Sequence, residues 1–308
     1  MMNMLQKIIS EKDLAWDKHS GNTIENFSVQ ISDNASNELR DNHQLITNLE
    51  ETFPILQKEI LGFKNKFLIG GIGFFVIDGK CFSDFSREET IGIYNKICKA
   101  LGTLYVQNIK NEKFVVIKDE GKSMMSGGRY HQTKEGGSFH TDSPQWNKVP
   151  DFVGLCCVNP AKKGGESKFV SAYSIHNEIL KEHKHFLKIL YDQFHFDKRG
   201  EYRSDESPTV FEPIFTYDNN NLKLRYLRDY INDGHKIQNM PLSKEQNGAL
   251  DCLDKIIHDE NLAVSYELKQ GDMIFLNNGR VLHGRTAFED FEDIDKKRQM
   301  IRTWIKDI

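Results

Sequence analysis

Residues 271–288 read GDMIFLNNGRVLHGRTAF. The apolar run at Met273–Leu276 has the length of a buried strand, not of a helix. Asn277, Asn278 and Gly279 interrupt it, and a second apolar run ends on His283. Short strands punctuated by Asn/Gly turns are the signature of an antiparallel sheet, and working outward from this stretch the same pattern recurs. Strands are expected at FLIGGIGFFVI (67–77), TLYVQNI (103–109), FVVIKD (114–119), FVGLCCVNP (152–160, ended by Pro160), KFVS (168–171), AVSYELK (263–269) and RQMIRTWI (298–305). The NNN at 219–221, between TYD and LKLRY, marks a hairpin.

Helices are fewer. Ser86-Arg-Glu-Glu89 and Ser243-Lys-Glu-Gln246 fit capping boxes, in which each side chain satisfies a backbone N–H at the helix start. Apolar residues follow each at helical spacing. A further helix is expected at about 174–190, and a weaker one in 38–53. Strict strand–helix–strand alternation is absent. The expected fold is therefore α+β with a mainly β core, a jelly roll with flanking helices. Residues 1–65 read as a mostly helical or irregular extension packed outside a core domain of 66–308, which carries inserted helices and lid loops.

Composition excludes several classes. The 308 residues are 38% hydrophobic and 28% charged, with a formal net charge of −4, which gives no electrostatic case for nucleic acid or an anionic membrane as partner. The longest apolar run, 67–77, contains three glycines and is too short to span a bilayer. Five cysteines without a Cys-x-x-Cys spacing read as reduced thiols, which points to the cytoplasm. No feature points to a particular oligomer.

The chemistry-bearing residues are few. GGSFHTDSPQ (136–145) sets His140 and Asp142 two apart, on one face of a strand. Alone, this pair fits two polar residues on a strand edge as well as half of a metal site. A lone His283 fits a satisfied core or turn residue. Together the three give two imidazoles and one carboxylate, a set that leaves three open positions on a metal and suits non-haem Fe(II) oxygenases. Arg298 and Arg302 share one face of an apolar strand, where a buried guanidinium needs an anion. That anion is either a structural carboxylate or a dicarboxylate cosubstrate.

Taken together, His140-Thr-Asp142, PAKKGGESKFVS (160–171), LNNGRVLHGRTAF (276–288) and RQMIRTWI resemble the taurine-dioxygenase-like family of Fe(II)- and 2-oxoglutarate-dependent oxygenases, related to clavaminate synthase. The likeness covers roughly 67–308. It implies a double-stranded β-helix, with His140, Asp142 and His283 as iron ligands. Arg298 would hold the C5 carboxylate of 2-oxoglutarate. Ser167 would stand where the family usually has a hydroxyl donor, Thr, to the same group, and Arg302 would assist the cosubstrate or face the substrate. The implied reaction consumes O₂ and 2-oxoglutarate, releases succinate and CO₂, and hydroxylates an unactivated C–H bond of a small polar metabolite, such as an amino acid or a derivative of one. Related halogenases carry Gly or Ala at the position of Asp142, so a carboxylate there argues for hydroxylation, or for desaturation or cyclisation by the same oxidant.

Candidate substrate contacts are Gln145, Arg129 in the glycine-rich MSGGRYHQTKEGG (125–137), and Arg225 and Arg228 in LRYLRDYI (224–231). The last segment reads equally as a strand with solvated charges. His176, His183, His185 and His258 are expected on the polar faces of helices. Two other readings remain at this point: a zinc-dependent hydrolase of cupin-like fold, and a non-catalytic binding protein on the same fold.

Overall fold

The protein, seen in a computed structural model, is described over residues 4–19, 27–108, 110–122 and 132–308. Its two principal sheets use eleven strands. In chain order these are β1 (Ser28–Val29), β2 (Phe74–Ile77), β3 (Thr103–Tyr105), β4 (Phe114–Ile117), β5 (Gly137–His140), β6 (Phe152–Asn159), β7 (Ser167–Ser171), β8 (Val264–Tyr266), β9 (Met273–Asn277), β10 (Val281–Arg285) and β11 (Gln299–Lys306). The larger sheet runs β1-β2-β9-β6-β11-β3, with β4 also paired to β11; the smaller runs β8-β7-β10-β5. The 271–288 segment makes the crossover: β9 lies in one sheet and β10 in the other, and the turn Asn278–Arg280 joins them. Phe74 of β2 stacks on Phe169 of β7 at 4.9 Å, so the sheets pack face to face. This is the expected double-stranded β-helix.

Seven α-helices flank the sheets among the described residues: α1 (Asp33–Asp41), α2 (Pro54–Phe63), α3 (Arg87–Leu101), α4 (Ala172–Glu182), α5 (Lys184–Tyr191), α6 (Arg228–Ile237) and α7 (Lys244–Ile257). Both expected capping boxes form, at Ser86/Glu89 and Ser243/Gln246. Against the outer face of the larger sheet, α3 sets Tyr94 on Phe275 with ring centroids 5.9 Å apart. Gly154 of β6 makes room for that contact, since a Cβ there would lie 2.8 Å from the Tyr94 hydroxyl and 2.9 Å from the Phe275 ring. The NNN hairpin also forms: Asn219 and Asn220 take positive φ, and Phe215–Asp218 pairs with Asn221–Leu224. No helix among the described residues is long and apolar enough to cross a membrane.

Several expectations are corrected. Only Phe74–Ile77 of the run 67–77 is strand; Lys64–Ile69 forms a π-helical turn. Glycines allow the chain to fold back beneath it, for a Cβ on Gly71 would meet the Lys66 carbonyl at 2.4 Å. The helix expected at 174–190 is two helices, broken at His183. Residues 228–237 are helical, because Leu227, Ile231 and His235 recur at one-turn spacing and bury together while the charges between them face outward. His176 does not lie on a solvated face: it is fully buried, with Nε2 3.1 Å from the Tyr191 hydroxyl.

The segment before residue 66 contributes to the same core. Trp16 and Phe27 are fully buried with Phe74, and β1 pairs in parallel with β2 at the sheet edge. The Trp16 indole donates to the Ile72 carbonyl at 2.8 Å.

Candidate active site

Between the sheets lies a cavity of about 160 Å³. Strand alternation decides what faces it. On β11 and just before it, Arg298, Met300, Arg302 and Trp304 line the cavity; Thr303 and Ile305, between and beyond them, are fully buried. From the smaller sheet come Ser167, Phe169, His140 and His283.

His140 and His283 are register partners on β5 and β10, and their ring centroids are 4.6 Å apart. Asp142 follows the end of β5, and its Oδ1 lies 3.7 Å from His140 Nε2 and 4.0 Å from His283 Nε2. One ligand atom from each of the three residues falls within 4.8 Å of the others. The separation of 143 residues between the two histidines in sequence is thus closed by a single backbone pairing.

The surroundings tune this set for a cation. His140 Nδ1 is 2.9 Å from the Ser138 carbonyl; a carbonyl only accepts, so Nδ1 carries the hydrogen and Nε2 presents its lone pair beside Asp142. Burial works to raise the Asp142 pKa, but Arg302, His140 and His283 outweigh it and hold the carboxyl well below its usual range. Burial, with His140 adding to it, pushes His283 down to about 3, so its imidazole is neutral and able to ligate at neutral pH.

Asp142 is held from two sides. Trp304 Nε1 donates to Oδ2 at 2.8 Å and Arg302 Nη1 donates to Oδ1 at 3.2 Å. Arg302 Nε in turn donates to Gln107 at 2.9 Å. On the backbone, Asp142 N–H donates to Asn278 Oδ1 at 2.7 Å, while Asn278 Nδ2 donates to the Asp142 and Pro150 carbonyls. Trp304, Gln107 and Asn278 went unread as site residues. The alternation that marked Arg302 also puts Trp304 on its face, and an indole N–H in a buried strand needs an acceptor.

Arg298 is 7% exposed, and its Nη1 is buried with no hydrogen-bond partner among the described residues. Its guanidinium lies over the Phe288 ring at 5.1 Å. Gly165 of the GGES turn, at φ +76°, leaves space beside it; a Cβ there would lie 3.4 Å from Arg298 Nε. Arg285 also lines the cavity and donates to the Thr133 and Glu135 carbonyls. Burial and the nearby Arg298 push Arg285 down to about 10. A buried guanidinium, Arg298, and a half-buried one, Arg285, thus stand at the Ser167 end of the cavity.

Gln145 lines the cavity, its Oε1 buried with no hydrogen-bond partner among the described residues and its Nε2 3.4 Å from Glu201. Tyr230, in the LRYLRDYI segment expected beside the substrate, also lines it, as does Glu201, which the sequence did not single out. Two other candidates lie elsewhere. Arg228 sits on α6 and donates to Asp254 and Asp251 of α7, each at 2.8 Å. Arg225 donates to the Pro144 and Trp146 carbonyls at 3.1 Å, so it braces the loop after Asp142 from behind and does not line the cavity. Arg129 lies outside the described residues.

Comparison with known proteins agrees with this geometry. The FR-33289 synthase of Streptomyces rubellomurinus is 31% identical over 240 residues, which cover 76% of this chain and 69% of that protein. Human gamma-butyrobetaine dioxygenase is 26% identical over 164 residues, 52% of this chain and 42% of the relative, so the match spans less than half of that protein. Among solved structures, an asparagine oxygenase in complex with Fe(II), 3-hydroxyasparagine and succinate superposes with a TM-score of 0.70 at 15% identity, covering 91% of this chain and 93% of the other. The non-haem iron oxygenase OrfP with Fe, succinate and (3S)-hydroxy-L-Arg gives 0.64 at 13%, covering 91% and 94%. At those identities the likeness is one of fold. The model of the family described as "Taurine catabolism dioxygenase TauD, TfdA family" matches residues 68–304; with those residues converging as above, the chain belongs to that family and is an Fe(II)- and 2-oxoglutarate-dependent dioxygenase.

Proposed function

We propose that this enzyme hydroxylates an unactivated C–H bond of a small polar metabolite, an amino acid or amino-acid derivative. His140, Asp142 and His283 would hold the iron. Arg298 and Ser167 take the C5 carboxylate of 2-oxoglutarate. The observation that carries this reading is the pairing of a converged His/Asp/His set with a buried guanidinium nitrogen that lacks a partner, both facing one cavity. A buried cation of this kind asks for an anion.

Bound there, the metal and cosubstrate supply the oxidative chemistry, in which 2-oxoglutarate is decarboxylated to succinate and one oxygen atom passes to the substrate. The chain supplies position and dryness. The β5–β10 pairing fixes both imidazoles, Arg298 orients the dicarboxylate from its far end, and Phe169, Leu155 and Met300 keep the cavity wall apolar.

The substrate class rests on the opposite end. Glu201, Gln145 and Tyr230 offer a carboxylate, an amide oxygen and a phenol, groups that suit an ammonium and its polar neighbours. The amino-acid products held by the asparagine oxygenase and OrfP are in keeping with that choice. Buried, unlinked thiols at Cys98, Cys156 and Cys157 suit a reducing compartment, and we place the enzyme in the cytoplasm.

The test is succinate release by anaerobically purified protein given Fe(II), ascorbate, O₂ and 2-oxoglutarate, with and without each amino acid of a panel. Stimulation by one panel member, lost in Asp142→Ala, is expected. Full turnover by Asp142→Ala overturns the ligand assignment. Succinate that no amino acid stimulates overturns the substrate class.

A further inference from the structure

We infer that Trp304 is a positioning residue that sets how Asp142 meets the metal, reserving Oδ2 so that the carboxylate binds through Oδ1 alone. The inference rests on the iron-site reading above and adds to it a residue outside the ligand set. Both histidine Nε2 atoms lie nearest the same oxygen, Oδ1. The other oxygen accepts the Trp304 N–H at 2.8 Å, a shorter bond than the 3.2 Å contact that Arg302 Nη1 makes with Oδ1. A carboxylate with both oxygens free can take two positions on a cation; with one oxygen committed to an indole donor it takes one. The consequence is that a position stays open for the reactants.

The indole is well placed to enforce this. Trp304 is 5% exposed and lies within β11, paired to Val153 of β6 and Tyr105 of β3. Its ring meets Trp146 edge-on, with centroids 5.3 Å apart and planes at 87°, and the Arg302 guanidinium covers it at 4.7 Å. Asn278 fixes the Asp142 backbone on both its N–H and its carbonyl. With its backbone clamped and Oδ2 engaged, the carboxylate has little freedom to rotate. Partners behind metal ligands typically change metal affinity by about 10- to 100-fold when removed.

The test uses Co(II) as a spectroscopic probe with the full chain. Wild type and Trp304→Phe are titrated with Co(II), and affinity and visible d–d absorption are recorded. The phenylalanine keeps the ring and loses the N–H. The expected result is about 10-fold or greater loss of affinity, with an altered d–d spectrum that reports a change in coordination. A variant that binds Co(II) as tightly as wild type, with an unchanged spectrum, overturns the inference alone. No Co(II) binding by wild type overturns the iron-site reading and this inference with it.

A second measurement needs no variant to fold. The protein has three tryptophans, and their indole N–H groups face different acceptors: Trp16 the Ile72 carbonyl, Trp146 Glu201 and Trp304 Asp142. In ¹⁵N-indole spectra, Zn(II) should shift the Trp304 resonance more than the other two. A Trp304 signal that stays in place while Zn(II) binds overturns the inference.

Discussion

At the scale of single residues, a histidine far from the iron site contributes to acid sensitivity. His176 is fully buried on α4 beside Tyr191 and Phe215. The Tyr191 hydroxyl accepts from the Leu5 N–H at 3.3 Å and lies 3.1 Å from His176 Nε2, where a neutral imidazole nitrogen accepts its hydrogen. A protonated imidazole cannot accept that bond, and burial pushes His176 down to about 4 from an ordinary 6.5. The folded state therefore refuses a proton that the unfolded chain takes up below pH 6.5. This linkage leaves stability untouched above pH 6.5 and removes it as pH falls toward 4, by about 2 kcal/mol between pH 7 and 5. Urea unfolding at the two pH values should show the loss in wild type. His176→Gln, which keeps an acceptor for Tyr191 and cannot titrate, should lose about 2 kcal/mol less over the same interval. Equal slopes for the two proteins would remove His176 as the cause.

At the scale of the element, β11 and the residue before it divide two arginines between two tasks. Arg298, beside the GGES turn, keeps a terminal nitrogen without a partner among the described residues; Arg302, one alternating step further along the cavity from Met300, is committed to Asp142 and Gln107. Arg298→Gln should therefore weaken 2-oxoglutarate binding to the Co(II)-loaded protein by roughly 30-fold or more, the scale of losing one partner of a buried charged pair, and leave Co(II) affinity near wild type. Arg302→Gln should do the reverse. Isothermal titration with Co(II), then with 2-oxoglutarate, separates the two, and the opposite pattern would exchange their roles.

The same strand shows what could be read without coordinates. Period-two alternation identified the Arg298/Arg302 face, and the order His-x-Asp, GGES, distal His, Arg identified the rest of the set. Trp304 shares that face but was read as apolar bulk, because hydropathy ignores the one polar hydrogen of an indole. LRYLRDYI failed for another reason. Its tyrosines and leucines favour a strand locally, whereas Leu227, Ile231 and His235 recur at one-turn spacing and bury together as a helix, on which Arg228 pairs with Asp251 and Asp254 of α7, off the site. Glu201 and Tyr230 reach the cavity only through the tertiary arrangement of loops and helices, which no local spacing encodes.

At the scale of the whole molecule, described residues before position 66 take part in the core, Trp16 and Phe27 among them. Trp16 is buried in the same apolar cluster as Phe74 and Phe169, the pair that joins the two sheets. Its neighbours lace the segment to α4: Ser171 and Ser174 hydroxyls donate to the Leu14 and Trp16 carbonyls, and Asn177 bonds both the N–H and the carbonyl of Ile9. Since β7, which ends at Ser171, pairs with the His283 strand β10, strain in the N-terminal segment has a short route to the metal site. Removing the Trp16 side chain leaves a cavity and an unpaired Ile72 carbonyl, so Trp16→Ala should lose about 3–5 kcal/mol. The loss should shift one cooperative transition, with far-ultraviolet circular dichroism and Co(II) release moving together to a lower urea midpoint. If instead the N-terminal segment melted first while Co(II) stayed bound and the remaining transition kept its wild-type midpoint, residues 1–65 would be a separable outer layer, and the core would begin near residue 66.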